Sequence, residues 1–166
     1  MLKVYKIHES ACVPFYGTQQ AACFDLSASL LPKTKIKYFT STNVKQEVSV
    51  FPDCTIKLQP RCRYLIPTNL IFDIPDGYSV RLHPRSGWSL KEGVTLINCE
   101  GVIDSDYVDP IYVAVINNSS TEVLLESGDR IAQAELVRDE RAEISEIFEA
   151  PTQKSDRDGG FGSTGN

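Results

Sequence analysis

Two carboxylates stand two residues apart, Asp104 and Asp106, in the segment GVIDSDY, between the apolar step Val102–Ile103 and the ring of Tyr107. In an extended strand such a pair shares one face, but around a hairpin bend the two side chains meet different surroundings. One can then hold the turn while the other takes a proton from water, provided that it stays ionised and within hydrogen-bond reach. Three other segments could hold an anion. PRSGWS sets Arg85 and Ser86 beside Gly87, a guanidinium and a hydroxyl at a bend where the backbone can approach a phosphate closely. SGDRIAQ places Gln133 beyond a turn, and its amide can donate to a phosphate or accept from a metal-bound water. GGFGSTG offers glycine N–H groups and the hydroxyls of Ser163 and Thr164 for phosphate oxygens, with Phe161 to stack on a ring. Each string taken singly also reads as a surface turn, a β-edge glutamine or a linker, and none names a reaction.

These groups need elements to position them. Tyr78–His83, YSVRLH, alternates Tyr78, Val80 and Leu82 with Ser79, Arg81 and His83, the period of a strand with one buried face. IPTNLIFDIPDG gives a further short strand closed by a Pro-Asp-Gly turn. IYVAVI, Ile111–Ile116, is apolar on both faces, as in a central strand or one lying between a core and a partner subunit. VLLES and RIAQAELV supply two more strands, joined through the turn SGD. Helical periodicity is weak, with RAEISEIFEA as the best candidate for a helix. The pattern predicts an all-β protein, a mostly antiparallel closed sandwich or barrel.

Residues 1–150 read as one β domain. It carries an excursion over 33–52 in which Lys33, Lys35 and Lys37 alternate ahead of a polar TSTN run, an exposed hairpin or long loop. Residues 151–166, PTQKSDRDGGFGSTGN, are too poor in apolar groups to make a core and read as a flexible, Gly-rich C-terminal arm. With 166 residues and a formal charge of -5, the chain lacks the basic surface of a nonspecific duplex binder, although local cations can still hold a small anion. The five cysteines form no CxxC pair and no even disulfide set, so mostly buried thiols in a reducing compartment are expected. The beginning MLKVYKIHESAC shows neither a signal peptide nor a membrane span, which points to cytoplasmic or nuclear residence. No stable nucleic-acid or membrane partner is expected.

In combination the strings resemble the homotrimeric dUTP pyrophosphatases, the dUTPases. AACFDL is similar to the first motif of that family, PRSGWS with KEG to the second, NCEGVIDSDY to the third, GDRIAQ to the fourth and GGFGSTG to the fifth. They occur in the family's order from Ala21 to Gly165. The chain departs from the pattern at Cys23, where a glycine is usual, and at Val108, Asp109 and Pro110, where Arg-Gly-Glu or similar usually follows the tyrosine. Arg157 stands one residue nearer Phe161 than the family's arginine, and the 33–52 stretch lengthens the region between the first two motifs.

The resemblance implies a distorted jelly roll or β-barrel-like sandwich. It also implies a homotrimer with active sites shared among chains, dUTP as substrate and Mg²⁺ as cofactor. Asp104 would be the catalytic base, attack would fall on the α-phosphorus, and the products would be dUMP and pyrophosphate. Arg85, Ser86 and Gly87 would contact the triphosphate, and Gln133 the phosphate or a metal-bound water. Asp25 would hold the ion's surroundings, through water. Asn98 and the backbone of Gly101, Val102 and Ile103 would read uracil, and Tyr107 would lie beneath deoxyribose, excluding a 2′-hydroxyl. Phe161 would stack on uracil, with Arg157, Gly162, Ser163 and Thr164 around the phosphates. A dCTP deaminase, or a bifunctional deaminase–dUTPase, shares the sheet and phosphate-contacting sequence, and a noncatalytic nucleotide sensor could use the same pocket. Asp104, where a deaminase would carry a glutamate, and GGFGSTG favour the dUTPase reading over these.

Overall fold

The computed structural model describes residues 1–156; the expected arm residues Arg157, Phe161, Gly162, Ser163 and Thr164 lie outside the described residues. Among the described residues, fourteen strands and one short helix follow in chain order: β1 Lys3–Lys6, β2 Phe15–Tyr16, β3 Phe24–Ser27, β4 Lys35–Phe39, β5 Lys45–Ser49, β6 Thr55–Leu58, β7 Arg63–Pro67, β8 Leu70–Asp73, β9 Tyr78–His83, α1 Ser86–Glu92, β10 Val94–Leu96, β11 Gly101–Ile103, β12 Tyr112–Asn117, β13 Val123–Glu126 and β14 Arg130–Arg138. The strands make two five-stranded sheets, β10-β12-β7-β4-β5 and β11-β9-β14-β3-β2, with the ribbons β1-β8 and β13-β6 beside them. Every paired register is antiparallel. The fold is a jelly roll.

Period-two patterning explains which side chains meet in the middle. On β9, Val80 and Leu82 are buried and Arg81 and His83 only half so; on β12, Val113 and Val115 are buried and Tyr112 is exposed. These strands, with Phe24, Leu26, Ile66, Ala132 and Ala134, close one core between the sheets. Each fully buried Val, Leu, Ile or Phe contributes about 1.5–3 kcal/mol relative to exposure, so a shared core can hold strands this short. Asn117, wholly buried, ties the core to a ribbon: its amide nitrogen donates to the carbonyls of Leu58 (2.9 Å) and Thr121 (2.8 Å), and its oxygen accepts from Ser119.

Several expectations meet the structure directly. Tyr78–His83 is β9, and the Pro-Asp-Gly turn precedes it, with Gly77 at φ +76. The SGD turn joins β13 to β14 through Gly128 at φ +95, a left-handed backbone that favours glycine. IYVAVI from Tyr112 onward becomes β12, paired on both sides by β10 and β7, with its second face half-exposed. The 33–52 excursion is a hairpin, β4 against β5, joined to the sheet through β7.

Three expectations need correction. RAEISEIFEA forms no helix: Ile144 and Phe148 are 96% and 90% exposed, and a short segment without a surface to pack on does not repay helix nucleation. The bend expected at PRSGWS is instead the start of α1, with Arg85 as N-cap and Gly93 as a left-handed C-cap at φ 71. The thiols are not mostly buried: only Cys62 is, while Cys23 and Cys54 are intermediate and Cys12 and Cys99 exposed. No helix among the described residues is long and apolar enough to cross a membrane.

Candidate active site

Beside β11, where it leaves β9, lies a cavity of about 290 Å³. Its lining brings together Asn98, Gly101, Val102, Ile103, Asp104 and Tyr107 from the segment around β11. Leu82 of β9 and Leu65, Tyr112 and Val113 of the facing sheet complete an apolar wall. Gly101 lies opposite Leu82, and Ile103 opposite Val80, so this part of the chain is fastened to the sheet by backbone pairing before it turns. The turn is closed by the Tyr107 N–H donating to the Asp104 carbonyl at 3.1 Å. The Tyr107 hydroxyl donates to the Pro110 carbonyl at 3.1 Å, which fixes the ring at the mouth. Asp104 is exposed and lines the cavity, and Asp106 is exposed outside that lining, so the two carboxylates do meet different surroundings.

A second cluster sits on the other side of the same sheet. Asp25 of β3 is 6% exposed, and both its oxygens are occupied: Oδ1 accepts from Arg85 Nε at 3.1 Å and Oδ2 from Arg130 Nη1 at 3.0 Å. Arg85 also donates to the Arg130 carbonyl at 3.3 Å. A buried carboxylate is costly without such partners, and the two guanidiniums satisfy both of its oxygens. Gln133 of β14 is opposite Asp25 on one side and His83 on the other, so the three share the outer face of the sheet. Arg85 and Arg130 border a cleft that also takes in Trp88, Glu92, Glu122 and Asp129. Hydrogen bonds from Gln59 and Lys57 and the Lys57 charge hold the Glu122 carboxyl below its usual range. Gly87, in the first turn of α1, has open space where a side chain would stand. Ser86 is exposed at the start of the same turn.

Thus the structure joins Asn98, Gly101–Asp104 and Tyr107 in one place and Asp25, Arg85 and Gln133 in another. The cavity and the Arg85–Arg130 cleft share no lining residue within one chain. Sequence reasoning missed Arg130, although it stands inside the GDRIAQ string, and the outward pair Arg81 and His83, which the alternation of YSVRLH already placed on one face. Cys23, in place of a glycine, is intermediate in burial; burial and the carboxylates of Glu135 and Asp25 push its thiol up.

The family model for dUTPase matches residues 33–165. A deoxyuridine 5'-triphosphate nucleotidohydrolase of Finegoldia magna is 43% identical over 129 residues, covering 78% of this chain and 90% of the relative. One from Hydrogenobaculum sp. is 38% identical over 165 residues, covering 99% of this chain and 97% of its own. Among solved structures, a mutant Staphylococcus bacteriophage 80alpha dUTPase with dUpNHpp superposes with a TM-score of 0.76 at 20% identity, covering 99% of this chain and 98% of that one. A mutant dUTPase from phage phi11 of S. aureus, described with a structural Mg(II) ion, gives 0.71 at 20% identity over 92% and 99%.

Proposed function

The chain belongs to the dUTPase family, and from that membership we propose that it hydrolyses dUTP to dUMP and pyrophosphate, water attacking the α-phosphorus with magnesium present. The enzyme is a dUTP nucleotidohydrolase in class; the division of labour among its residues is our reading. The observation that carries it is the single cavity into which Asn98, Gly101–Asp104 and Tyr107 converge. Backbone groups of β11 would pair with the uracil edge, and a cytosine amino group placed there would meet mismatched partners. Each missed buried hydrogen bond costs about 1–3 kcal/mol. Tyr107, held by Pro110, would lie beneath deoxyribose and leave no room for a 2′-hydroxyl.

Asp104 would take the proton of the attacking water. Arg85, Ser86, Gly87 and Gln133 would bind the triphosphate, where fixed donors must absorb charge before an anion can be attacked. Both Asp25 oxygens serve guanidiniums, so a divalent ion would reach this carboxylate only through water; the oxygen donors of Asp25 and Gln133 suit a hard cation. When bound, Mg²⁺ would neutralise phosphate charge. Residues 1–150 would form the catalytic domain and 151–166 an arm that covers substrate, with Phe161 on uracil and Arg157, Gly162, Ser163 and Thr164 around the phosphates.

Since the nucleoside cavity and the guanidinium cleft are separate in one chain, a complete site would be assembled between chains of a homotrimer. The half-exposed outward residues Leu65, Ile97 and Tyr112, 39%, 48% and 45% exposed, support such contacts. A panel of dUTP, dCTP, dTTP and UTP, each with and without magnesium, tests the proposal. Selective, magnesium-dependent release of pyrophosphate from dUTP is expected; orthophosphate as first product, or ammonia from dCTP, would overturn it. Limiting uracil in DNA and supplying dUMP would follow from that activity.

A further inference from the structure

We propose that Glu100 is a positioning residue for the nucleotide cavity, an ionic brace that fixes the entry to β11 against the sheet. The proposal rests on the reading of that cavity as the nucleoside site. Between the end of β10 and the start of β11 runs Ile97–Glu100. Ile97 is anchored by its N–H to the Ala114 carbonyl at 3.1 Å, and the next three residues, Asn98, Cys99 and Glu100, are exposed. Glu100 is the one charged residue of the four. Its Oε2 lies 3.6 Å from Arg81 Nη1 and its Oε1 4.0 Å from His83 Nδ1.

Both partners are themselves held. Arg81 Nη2 reaches Asp139 Oδ1 at 3.3 Å, and Asp139 accepts the Ser79 hydroxyl at 2.7 Å. His83 Nε2 lies 3.0 Å from Glu135 Oε1. Arg81 and His83 alternate on the outer face of β9, opposite Glu135 and Gln133 of β14. The brace thus ties the chain just before Gly101 to the same face that carries Gln133 and Asp25. The side chains of Arg81 and His83 are 27% and 30% exposed, against 47% for Glu100, so its partners are shielded from water on the sheet side. Arg81 supplies the permanent charge, and His83 adds a second when protonated.

Loss of the brace leaves the cavity walls intact but frees the peptide that presents Asn98 and Gly101. A site that must be held in place before it binds then shows a higher KM, with the chemistry after binding unchanged. A partly exposed ion pair corresponds to no more than about a fivefold effect on an equilibrium, and that is the size expected.

The experiment uses full-length enzyme and the variants Glu100→Gln and Arg81→Gln, singly and together. Glu100→Gln should raise KM for dUTP about fivefold while kcat stays within about twofold. Arg81→Gln should raise KM likewise, and the double variant should fall short of the sum of the two, since the Glu100–Arg81 contact is common to both while Arg81 also holds Asp139 and Glu100 also reaches His83. Amide hydrogen exchange at Gly101–Ile103 should quicken in each variant, and this readout needs no turnover. A role confined to general stability would lower Tm and leave KM alone. Unchanged KM and unchanged exchange in Glu100→Gln would overturn the brace, as would additive effects in the double variant. Absence of dUTP turnover in the parent enzyme would overturn the activity instead, with the exchange result still deciding the brace.

Discussion

Gly101 lies directly across from Leu82, and a methyl group built on it would stand 3.0 Å from the Leu82 Cβ. Few real Cβ contacts are this tight, and Leu82 is buried in the core with little room to yield, so the Gly101–Leu82 pairing must shift slightly to admit one. Gly101→Ala should therefore lose about 1–3 kcal/mol, as overpacked cores do, and weaken dUTP binding together with it. Urea unfolding and KM measured on the same preparation check this; an alanine accepted at full stability would mean that β11 is not packed as described.

Asp104→Asn keeps the size of the side chain but cannot accept a proton from water at useful strength. Turnover should fall by at least about a hundredfold, with nucleotide binding largely kept. Single-turnover hydrolysis is the appropriate measurement, because it separates the chemical step from product release. Near-normal chemistry would remove Asp104 from the role of base.

A chain ending at Pro151 should fold and assemble, because the core residues all precede it, yet lose most dUTP hydrolysis. Mixing this truncated chain with Asp104→Asn chains that keep their arms should restore some activity, since certain sites would receive Asp104 from one chain and Phe161 from another. Verified mixed trimers without recovery would count against an arm given between subunits. Full activity in the truncated enzyme would end the arm's role.

Burial pushes the Tyr64 phenol up to about 12 from an ordinary 10.0, partly opposed by the Gln59 N–H that donates to it at 2.8 Å. Between these values the unfolded chain has lost a proton that the folded chain retains, so the folded state binds more protons and stability falls as pH rises. The loss begins near pH 10 and grows toward 12, on the order of 2–3 kcal/mol in full. Denaturant midpoints from pH 9 to 11.5 should show this decline in the parent and a smaller one in Tyr64→Phe.

What could be read in advance was the part governed by neighbours in sequence. Alternation gave β9 its faces, and the alternating lysines ahead of TSTN offered a hairpin as one of two readings of 33–52, the one that β4 and β5 form. The helix α1 could not be read in this way: it is seven residues long and none of them is buried, so it carries no apolar stripe. RAEISEIFEA is only the best candidate among weak helical patterns, and its apolar Ile144 and Phe148 stand exposed. The convergence of Asn98, Asp104 and Tyr107 was legible because they lie within one string. The grip of Arg130 on Asp25 spans 105 residues and depends on the pairing of β14 with β3, which no local pattern announces. The Glu100 brace is likewise a consequence of register.

The outermost strands of the two large sheets are unlike each other, and the difference bears on how the protein behaves when concentrated. β2 ends its sheet with two residues, Phe15 and Tyr16, too short a row of free N–H and C=O groups to seed another strand. β5 is longer and ends its sheet with Lys45, Gln46 and Glu47, all exposed, Glu47 already paired with Lys35 at 3.1 Å. A foreign strand laid along it would have to bring its own backbone against these charges and strip their water. The hairpin therefore closes its side of the sandwich against fibrous growth by charge, where β2 closes the other by brevity, and a β-branched triplet at 45–47 would turn that border into a template for aggregation.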